Sequence, residues 1–204
     1  MKTSLNPLLY QLNTRVLLTE ISQRLGRTAT LDDIPDEELD RLKKQGFDWV
    51  WLLSVWQTGT AGQQMSRSHE QWLKEFKQTL PDLKNEDIGG SGFAITDYVV
   101  HKDLGGAPAL ARLRQRMKQR GLKLLLDFVP NHTALDHHWV EEHPEYYVSG
   151  REEDINNAPQ NYTRIKRQAG EITLAHGRDP YFDGWVDTLQ LNYGNPATQE
   201  AMKR

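Results

Sequence analysis

The chain contains no cysteine among its 204 residues, which excludes disulfides, thiolate metal sites and thiol catalysis together. This absence agrees with a cytosolic protein without requiring one. Long hydrophobic runs are also missing, because no stretch approaches the ~20 apolar residues of a membrane-spanning helix. Residues Met1–Asn13 lack the apolar core of a signal peptide. We therefore expect a cytoplasmic protein that has no membrane partner.

An excess of charge of one sign is absent as well. The sequence has 25 Lys and Arg residues against 28 Asp and Glu residues, which gives a formal net charge of −3 and no general attraction to nucleic acid. One basic segment lacks the interleaved aromatic side chains that stack on bases, and we interpret it as the solvated face of a helix: Arg112, Arg114, Arg116, Lys118 and Arg120. We expect no nucleic-acid partner. The apolar content of 37% is enough for a sizeable core.

One pattern occurs twice along the chain. A basic segment ends in a glycine, Gly46 or Gly121, and each glycine leads into an apolar run. Basic side chains suit the negative end of the helix dipole, and glycine supplies the left-handed residue that ends a helix. Two such helix–glycine–strand units predict a parallel sheet of βα units. We expect its first strands near residues 8–18, 47–55 and 122–128.

The helices of these units can also be located. Pro35 opens the first helix, and Leu110, Leu113 and Met117 form the buried stripe of the second. Between the units, a further helix is predicted at about residues 68–80, followed by a glycine-rich stretch.

Residues 131–195 are polar, aromatic and much longer than a plain connection, so they predict a small subdomain. Its aromatic side chains could stack on sugar rings, but a small subdomain also needs them as its core, and we favour the core interpretation. They include Trp139, Tyr146, Tyr147, Tyr162, Tyr181, Phe182, Trp185 and Tyr193.

A carboxylate stands at the end of the predicted strand 122–128. Asp127 follows three consecutive leucines, and its charge would be costly in a buried strand unless it met a cation, a hydrogen-bond network or a substrate. Pro130 then ends the strand, because it cannot donate to the ladder. Asn131 and His132 follow directly. This arrangement is typical of the rim of an active site.

The segment Asp127–His132 resembles the Asp-x-Val-x-Asn-His signature after the third strand in the α-amylase family of (β/α)8-barrel enzymes. Three other segments resemble that family in the same order: Gly46-Phe47 before the second strand, Gly92–Tyr98 before the second helix, and Asp187–Pro196, which matches a Leu-Asn-x-x-Asn-Pro stretch.

The resemblance implies an α/β fold, the amino-terminal part of a (β/α)8 TIM barrel with a small B domain inserted after the third strand. Residues 1–130 would form three strands and two helices of the barrel, with a rim insert at about 57–107. Residues 131–195 would form the B domain, and residues 196–204 would begin the third barrel helix.

The resemblance also implies roles for individual residues. Asp127 would orient neighbouring active-site groups without being the nucleophile, and His132 would hydrogen-bond the sugar at the cleavage point. Phe93 replaces a stacking tyrosine of the family, and Trp56 could be a sugar platform or a core residue. Gly90 stands where many α-glucosidase-type relatives have an aspartate that holds the terminal sugar. This difference argues against an exo-acting glucosidase specificity. The implied catalytic residues are Asp127 and His132, and the implied substrate-binding residues are Phe93, Trp56, Asn131 and Tyr98.

The implied function is that of a retaining glycoside hydrolase or transglycosylase acting on α-glucans or other α-linked glucosides. The sequence contains no Gly-x-Arg-x-Asp phrase, so the nucleophile and the acid/base are expected beyond residue 204, and these residues alone are expected to be inactive. No cofactor is required. Calcium is compatible with the resemblance, with Asn131 either bracing its loop or ligating the ion.

Two other classes of protein stay open. A non-catalytic carbohydrate-binding or scaffold protein of the same fold is one, as in the amino-acid transporter heavy chains. A metal-dependent hydrolase is the other, since acidic and histidine residues are dense after the strand, although their spacing is not His-Glu-x-x-His. That cluster comprises His132, His137, His138 and His143 with Asp136, Glu141 and Glu142. His69, His101 and His176 carry no motif, and the oligomeric state is open.

Overall fold

The computed structural model describes residues 6–203, so the first part of Met1–Asn13 and the last residue of the predicted third helix lie outside the described residues. Its strands are β1 (Leu9–Asn13), β2 (Trp49–Leu53), β3 (Trp56–Thr58), β4 (Ile95–Val100), β5 (Lys123–Leu126), β6 (His132–Ala134), β7 (Tyr162–Arg167), β8 (Gly170–Ala175) and β9 (Thr188–Gln190). Its helices are α1 (Thr14–Leu25), α2 (Asp36–Lys44), α3 (Thr60–Ser68), α4 (Glu70–Thr79), α5 (Gly106–Gln119), α6 (Trp139–Glu142), α7 (Glu152–Asn157) and α8 (Pro196–Ala201). Over the described range, none of these helices is both long and apolar enough to cross a membrane.

The chain divides into two compact units. Unit 1 takes the residues up to 57 together with residues 98–128, and unit 2 takes residues 58–97 together with those from 129 onward. Both units are therefore built from two separate stretches of sequence. The predicted domain boundaries after residues 130 and 195 stay predictions.

The centre of unit 1 is a parallel sheet with the strand order β1–β2–β5. Leu9 pairs with Trp49, and Trp49 pairs with Lys123. The first residues of the three parallel strands are therefore aligned with one another. Val50 and Leu52 of β2 are buried in the core of the unit together with residues of α1, α2 and α5. The predicted parallel sheet of βα units is confirmed.

Glycine ends both helices that precede β2 and β5. Gly46 has φ +93° and Gly121 has φ +72°, the left-handed conformation that favours glycine. Beyond them, the Phe47 amide donates to the Leu42 carbonyl at 3.2 Å and the Leu122 amide donates to the Met117 carbonyl at 3.0 Å. These backbone bonds close the helix ends as the repeated sequence pattern predicts.

Two predicted elements are shorter than expected. The predicted strand 8–18 is a strand only as far as Asn13, whose side chain accepts a hydrogen bond from the Val16 amide at 3.3 Å and so starts α1. The predicted helix 68–80 is α4, Glu70–Thr79, which begins two residues later because His69 accepts from the Trp72 amide at 3.4 Å and caps it. Capping by a polar side chain decided both boundaries.

The basic face of α5 is paired with an acidic one. Arg112, Arg116 and Arg120 each lie 2.6 Å from a carboxylate. The partner aspartates also recur every four residues, at positions 32, 36 and 40. The α5 face that we predicted to be solvated also carries a ladder of ion pairs within unit 1.

Unit 2 contains two antiparallel strand pairs, β6 with β9 and β7 with β8. Tyr147 is buried in its core beside Leu174 and Leu189. Tyr181 and Phe182 are 87% and 72% exposed. The core interpretation of the aromatic residues therefore holds for Tyr147 and is wrong for Tyr181 and Phe182.

Candidate functional site

Asp127 lies directly after β5, at the carboxyl end of the parallel sheet of unit 1. It is 8% exposed. One carboxylate oxygen, Oδ1, accepts from the Trp51 indole N–H at 2.8 Å, and the other, Oδ2, accepts from the Ser54 backbone N–H at 3.0 Å. The desolvated carboxylate is therefore compensated by two hydrogen bonds from β2 and the turn that follows it. This geometry suits a residue that orients its neighbours.

Ser54 provides its hydrogen bond from a strained backbone. Its φ is +67°, and Ser54 is the one residue other than glycine with positive φ in the described range. A side chain in the left-handed region costs free energy that the surroundings must supply. This conformation directs the Ser54 amide toward the Asp127 carboxylate, so the free-energy cost lies at the residue that makes the hydrogen bond.

Aromatic rings surround the backbone of Asp127. The Trp56 indole N–H donates to the Asp127 carbonyl at 2.8 Å, and its ring lies edge-on to Tyr98 at 5.5 Å between centroids. Tyr98 in turn contacts Phe128 at 5.9 Å. Trp56 packs partly against the core, whereas Phe128 is 67% exposed. Unit 1 thus brings together three predicted site residues, Asp127, Trp56 and Tyr98, and their contact with a sugar stays a prediction.

His132 opens strand β6 of unit 2 and is as buried as Asp127, at 8% exposure. Burial lowers its pKa to about 4, and a hydrogen bond to the backbone of Phe93 opposes that shift only in part. The ring is therefore neutral at pH 7. The amide nitrogen of Asn131 lies 3.2 Å from Nδ1, and Trp185 packs edge-on at 5.2 Å.

Phe93, from the earlier stretch of unit 2, also contacts His132. The Phe93 backbone forms a hydrogen bond with the His132 ring, and the Phe93 side chain is 39% exposed. An acceptor on the backbone is a carbonyl, so the ring of His132 donates to it. Since Nδ1 faces the Asn131 amide, the proton belongs on Nε2. Unit 2 thus brings together Phe93, Asn131 and His132.

Asn131 is engaged in a network of amides. Its Oδ1 accepts from Gln190 Nε2 at 3.1 Å, and its backbone carbonyl accepts from the same Gln190 nitrogen at 2.8 Å. Calcium prefers several carboxylate oxygens, yet no group of three or more histidine or acidic side chains suited to a metal occurs within residues 6–203. Gln190 occupies both oxygens of Asn131, so the contacts support bracing of the loop as its role, and calcium binding stays a prediction of the resemblance.

The other histidines of the cluster do not converge. His137 is buried, accepts from the Trp139 amide at 3.1 Å, and has a pKa lowered to about 4, first by burial and then by the neighbouring His138. His138 and His143 instead lie beside exposed glutamates, Glu142 and Glu145. The described residues therefore give the metal-dependent hydrolase no site.

Several residues at these positions escaped sequence analysis. The sequence pattern indicated only that Trp51 is an apolar strand residue, and it gave no indication that Ser54 adopts a left-handed conformation. Gln190 and His176 belong to no motif, although Gln190 lies inside the segment that resembles the family stretch. Cross-strand position was the available signal, because Gln190 pairs with His132 in the β6–β9 sheet.

The parallel sheet with a carboxylate after its third strand is the arrangement of a barrel enzyme whose chemistry lies at the carboxyl face. The family model described as the alpha-amylase catalytic domain matches residues 28–204. Because this match spans most of the chain, the chain belongs to the α-amylase catalytic-domain family.

Individual proteins agree with this assignment. Maltase A1 of Drosophila melanogaster is 26% identical over 203 residues, which cover 90% of this chain and 30% of that protein. An amino acid transporter heavy chain of Rattus norvegicus is 22% identical over 178 residues, which cover 82% and 22% of the two chains. The crystal structure of an α-amylase from Lactobacillus plantarum is similar with a TM-score of 0.61 and 21% identity, over 96% of this chain and 34% of that one.

The structural similarity confirms the predicted fold class, the amino-terminal part of a (β/α)8 barrel. The chain spans about a third or less of the length of these three proteins. The activity of the whole protein is therefore a matter of proposal.

Proposed function

We propose that the protein is a glycoside hydrolase or transglycosylase of the α-amylase type that acts on α-linked glucosides with retention of configuration. The observation that carries the proposal is Asp127, a carboxylate held by two N–H donors at the carboxyl end of a parallel strand. In barrel enzymes this end of the strands carries the chemistry. Relatives include a maltase, which supports a glucoside substrate.

The roles follow from the hydrogen bonds. Both oxygens of Asp127 are occupied, so Asp127 orients groups around it and is not the nucleophile. Neutral His132 has a ring N–H that is bonded to the Phe93 carbonyl. When substrate binds, a sugar hydroxyl would take the place of this carbonyl as the acceptor. Phe93, Trp56 and Tyr98 offer aromatic faces for sugar rings.

Retaining hydrolysis requires two further carboxylates about 5–5.5 Å apart. We expect these to be the nucleophile and the acid/base that follow the fourth and fifth strands of the family's barrel. Asp127 would orient the groups around it, and His132 would hydrogen-bond the sugar.

The test is turnover by a purified longer form of the protein, one that includes the expected nucleophile and acid/base. Maltose, maltooligosaccharides, starch, trehalose and sucrose are supplied, and released or transferred glucose is measured. We expect turnover of at least one of them, and we expect His132→Ala to reduce kcat more than it weakens substrate binding, because contact at the reacting sugar strengthens in the transition state. His138→Ala, at an exposed histidine of the same unit, serves as the control. Absence of turnover on all five would overturn the proposal.

The second candidate is a non-catalytic protein of this fold, which the similarity to a transporter heavy chain favours. Equilibrium dialysis with maltooligosaccharides separates the two functions. Binding without hydrolysis would support the non-catalytic function, whereas hydrolysis would exclude it. The same assays repeated after exhaustive chelation test the metal-dependent hydrolase, and full activity without metal would remove it.

A further inference from the structure

Two side-chain amides lie beside His132, those of Asn131 and Gln190, and both face backbone groups. A side-chain amide has an acceptor oxygen and a donor nitrogen of similar shape, so the partners decide which atom points where. A backbone N–H only donates, and a backbone carbonyl only accepts. A backbone group that faces one end of the amide therefore determines whether that end is the oxygen or the nitrogen.

Backbone groups orient the Gln190 amide in this way. Its Oε1 accepts from the Arg178 backbone N–H at 3.1 Å. Its Nε2 donates to the backbone carbonyls of Asn131 at 2.8 Å and Leu191 at 3.4 Å. In the reversed orientation, two N–H groups would face each other at Arg178 and oxygen would face oxygen at Asn131. The backbone therefore permits one orientation of Gln190.

Gln190 in turn orients the Asn131 amide. Asn131 Oδ1 accepts from Gln190 Nε2 at 3.1 Å, whereas Asn131 Nδ2 lies 3.4 Å from Gln190 Oε1 and 3.4 Å from the Arg178 carbonyl. Reversal would set a donor against a donor and an oxygen against two acceptors. Nδ2 is therefore the Asn131 atom that lies 3.2 Å from His132 Nδ1. Because Nδ2 only donates, Nδ1 of His132 has to accept.

The loop that supplies the Arg178 backbone is held next to His132. This loop, residues 177–185, is closed by the Trp185 amide, which donates to the Gly177 carbonyl at 2.8 Å. Gly177 packs so closely that a Cβ at this position would lie 2.7 Å from His132 Cβ. Strand β9, which carries the orienting glutamine, pairs with strand β6, which begins at His132. The groups that orient the two amides are thus fixed relative to the imidazole.

We propose that Gln190 is a positioning residue that acts through Asn131 and keeps the proton of the His132 ring on Nε2. A neutral imidazole whose Nδ1 accepts carries its proton on Nε2, which leaves Nε2 to donate toward the Phe93 backbone. The sugar hydroxyl of the proposed function would accept from this same N–H, and that consequence rests on the proposed function. Without Gln190, Asn131 could reverse and the proton could move to Nδ1.

The test locates the proton on the ring. NMR of protein labelled with ¹⁵N-histidine, at pH 7, distinguishes the protonated ring nitrogen from the bare one, and His132→Gln identifies the His132 signals. We expect the proton on Nε2 in the wild-type protein. Gln190→Glu keeps an acceptor for Arg178 but has no donor for Asn131, so Asn131 should reverse and the proton should shift to Nδ1. Gln190→Leu should give a mixture of the two forms.

Gln199→Leu is the matched control. The Gln199 amide also donates to a backbone carbonyl, that of Tyr193 at 2.7 Å, but it lies in helix α8. This variant should keep the wild-type proton position, and circular dichroism verifies that each variant is folded.

A wild-type proton on Nδ1, or a proton that stays on Nε2 in both folded Gln190 variants, would overturn the proposal. If neither Gln190 variant folds, Asn131→Asp takes their place, because it presents an oxygen to His132 Nδ1. A proton that stays on Nε2 in that variant would equally overturn the proposal.

Turnover tests the consequence for the sugar. In the longer form of the protein, Gln190→Leu should reduce kcat for maltose about tenfold, the size of effect expected for one lost hydrogen bond. KM should change less, because the contact strengthens in the transition state. Gln199→Leu should change neither value. An unchanged kcat in a variant whose proton has moved would refute the positioning role. If the wild-type protein turns over no glucoside, the proposed function fails, and the NMR measurement still decides whether Gln190 sets the proton on His132.

Discussion

Asp127 and His132 lie five positions apart in the sequence and are equally buried, at 8% exposure each, yet the two units accommodate them in opposite ways. Unit 1 surrounds a carboxylate with N–H donors, one of them from a strained backbone at Ser54. Unit 2 buries an imidazole so deeply that its pKa falls to about 4 and it stays neutral. The difference shows that a buried polar group can be accommodated either by donors placed around it or by loss of its charge.

The largest effect is expected from removing the acceptor in unit 1. Asp127→Ala leaves the Trp51 indole and the Ser54 amide without their acceptor and displaces the groups that Asp127 orients. We expect turnover to fall by about 100-fold or more, the size of loss that misplacement of about 1 Å produces. Kinetics on maltose measure it.

Asp82→Asn, at an exposed carboxylate, is the control for that variant. A fully active Asp127→Ala protein would show that the hydrogen-bonded carboxylate of unit 1 has only a structural role.

The next effect concerns the close approach to His132 in unit 2. Gly177→Ala places a Cβ 2.6 Å from Thr188 Oγ1 and 2.7 Å from His132 Cβ, and overpacking of this kind costs about 1–3 kcal/mol. Gly62→Ala is the matched control, because its Cβ would meet Ala94 at an ordinary 3.4 Å within helix α3. Urea unfolding should show a loss for the first variant and no loss for the second. Equal stability of the two would contradict the described fit of the loop.

The pH dependence of stability tests the neutral histidines. His132 and His137 have folded pKa values of about 4, below the value of about 6.5 for an unfolded chain. The unfolded state binds more protons between those values, so stability is complete above about pH 6.5 and decreases as the pH falls toward 4. Each histidine contributes at most about 3 kcal/mol to that change.

Urea unfolding at pH 7, 5.5 and 4.5 measures this effect. His137→Gln should reduce the decrease, whereas His138→Gln, at an exposed ring, should leave it unchanged. A stability that does not vary over this range would mean that the histidines become protonated in the folded protein.

The smallest effect is expected at the surface ladder of unit 1, where donors and acceptors remain in water. Arg112→Gln breaks the ion pair with Asp32, and exposed pairs of this kind add little to stability. We expect a small decrease in the thermal midpoint that disappears in 1 M NaCl, where the Debye length is about 3 Å. Arg114→Gln is the control on the same helix, since Arg114 has no ion pair among residues 6–203. A large decrease that persists in salt would show that the pairing carries much of the stability.

The parallel sheet could be predicted from the sequence, because an apolar run that follows a helix-ending glycine is a local pattern. One short segment was enough to identify Asp127, Asn131 and His132. Trp51, Ser54 and Gln190 could not be identified in this way, because their roles arise from strand pairing between residues that are far apart in sequence. The register of Gln190 with His132 and the left-handed φ of Ser54 are decided by tertiary structure, which no local pattern encodes.

The aromatic residues of unit 2 show the same limit. Composition alone favoured a core for all of them, and this holds for Tyr147 but fails for Tyr181 and Phe182. Their exposure follows from the hydrogen bonds of Asp179 to the loop backbone, which hold both residues in a surface turn.

Asp136 links the two separate stretches that make up unit 2. Its carboxylate accepts from the Ala61 amide at 3.0 Å, 75 positions earlier in the chain, and it lies against Gly59, where a Cβ would collide with it. During synthesis, the start of helix α3 is made long before the residue that caps it. Helix α3 therefore lacks this hydrogen bond until residues about one third of the chain further on have been made.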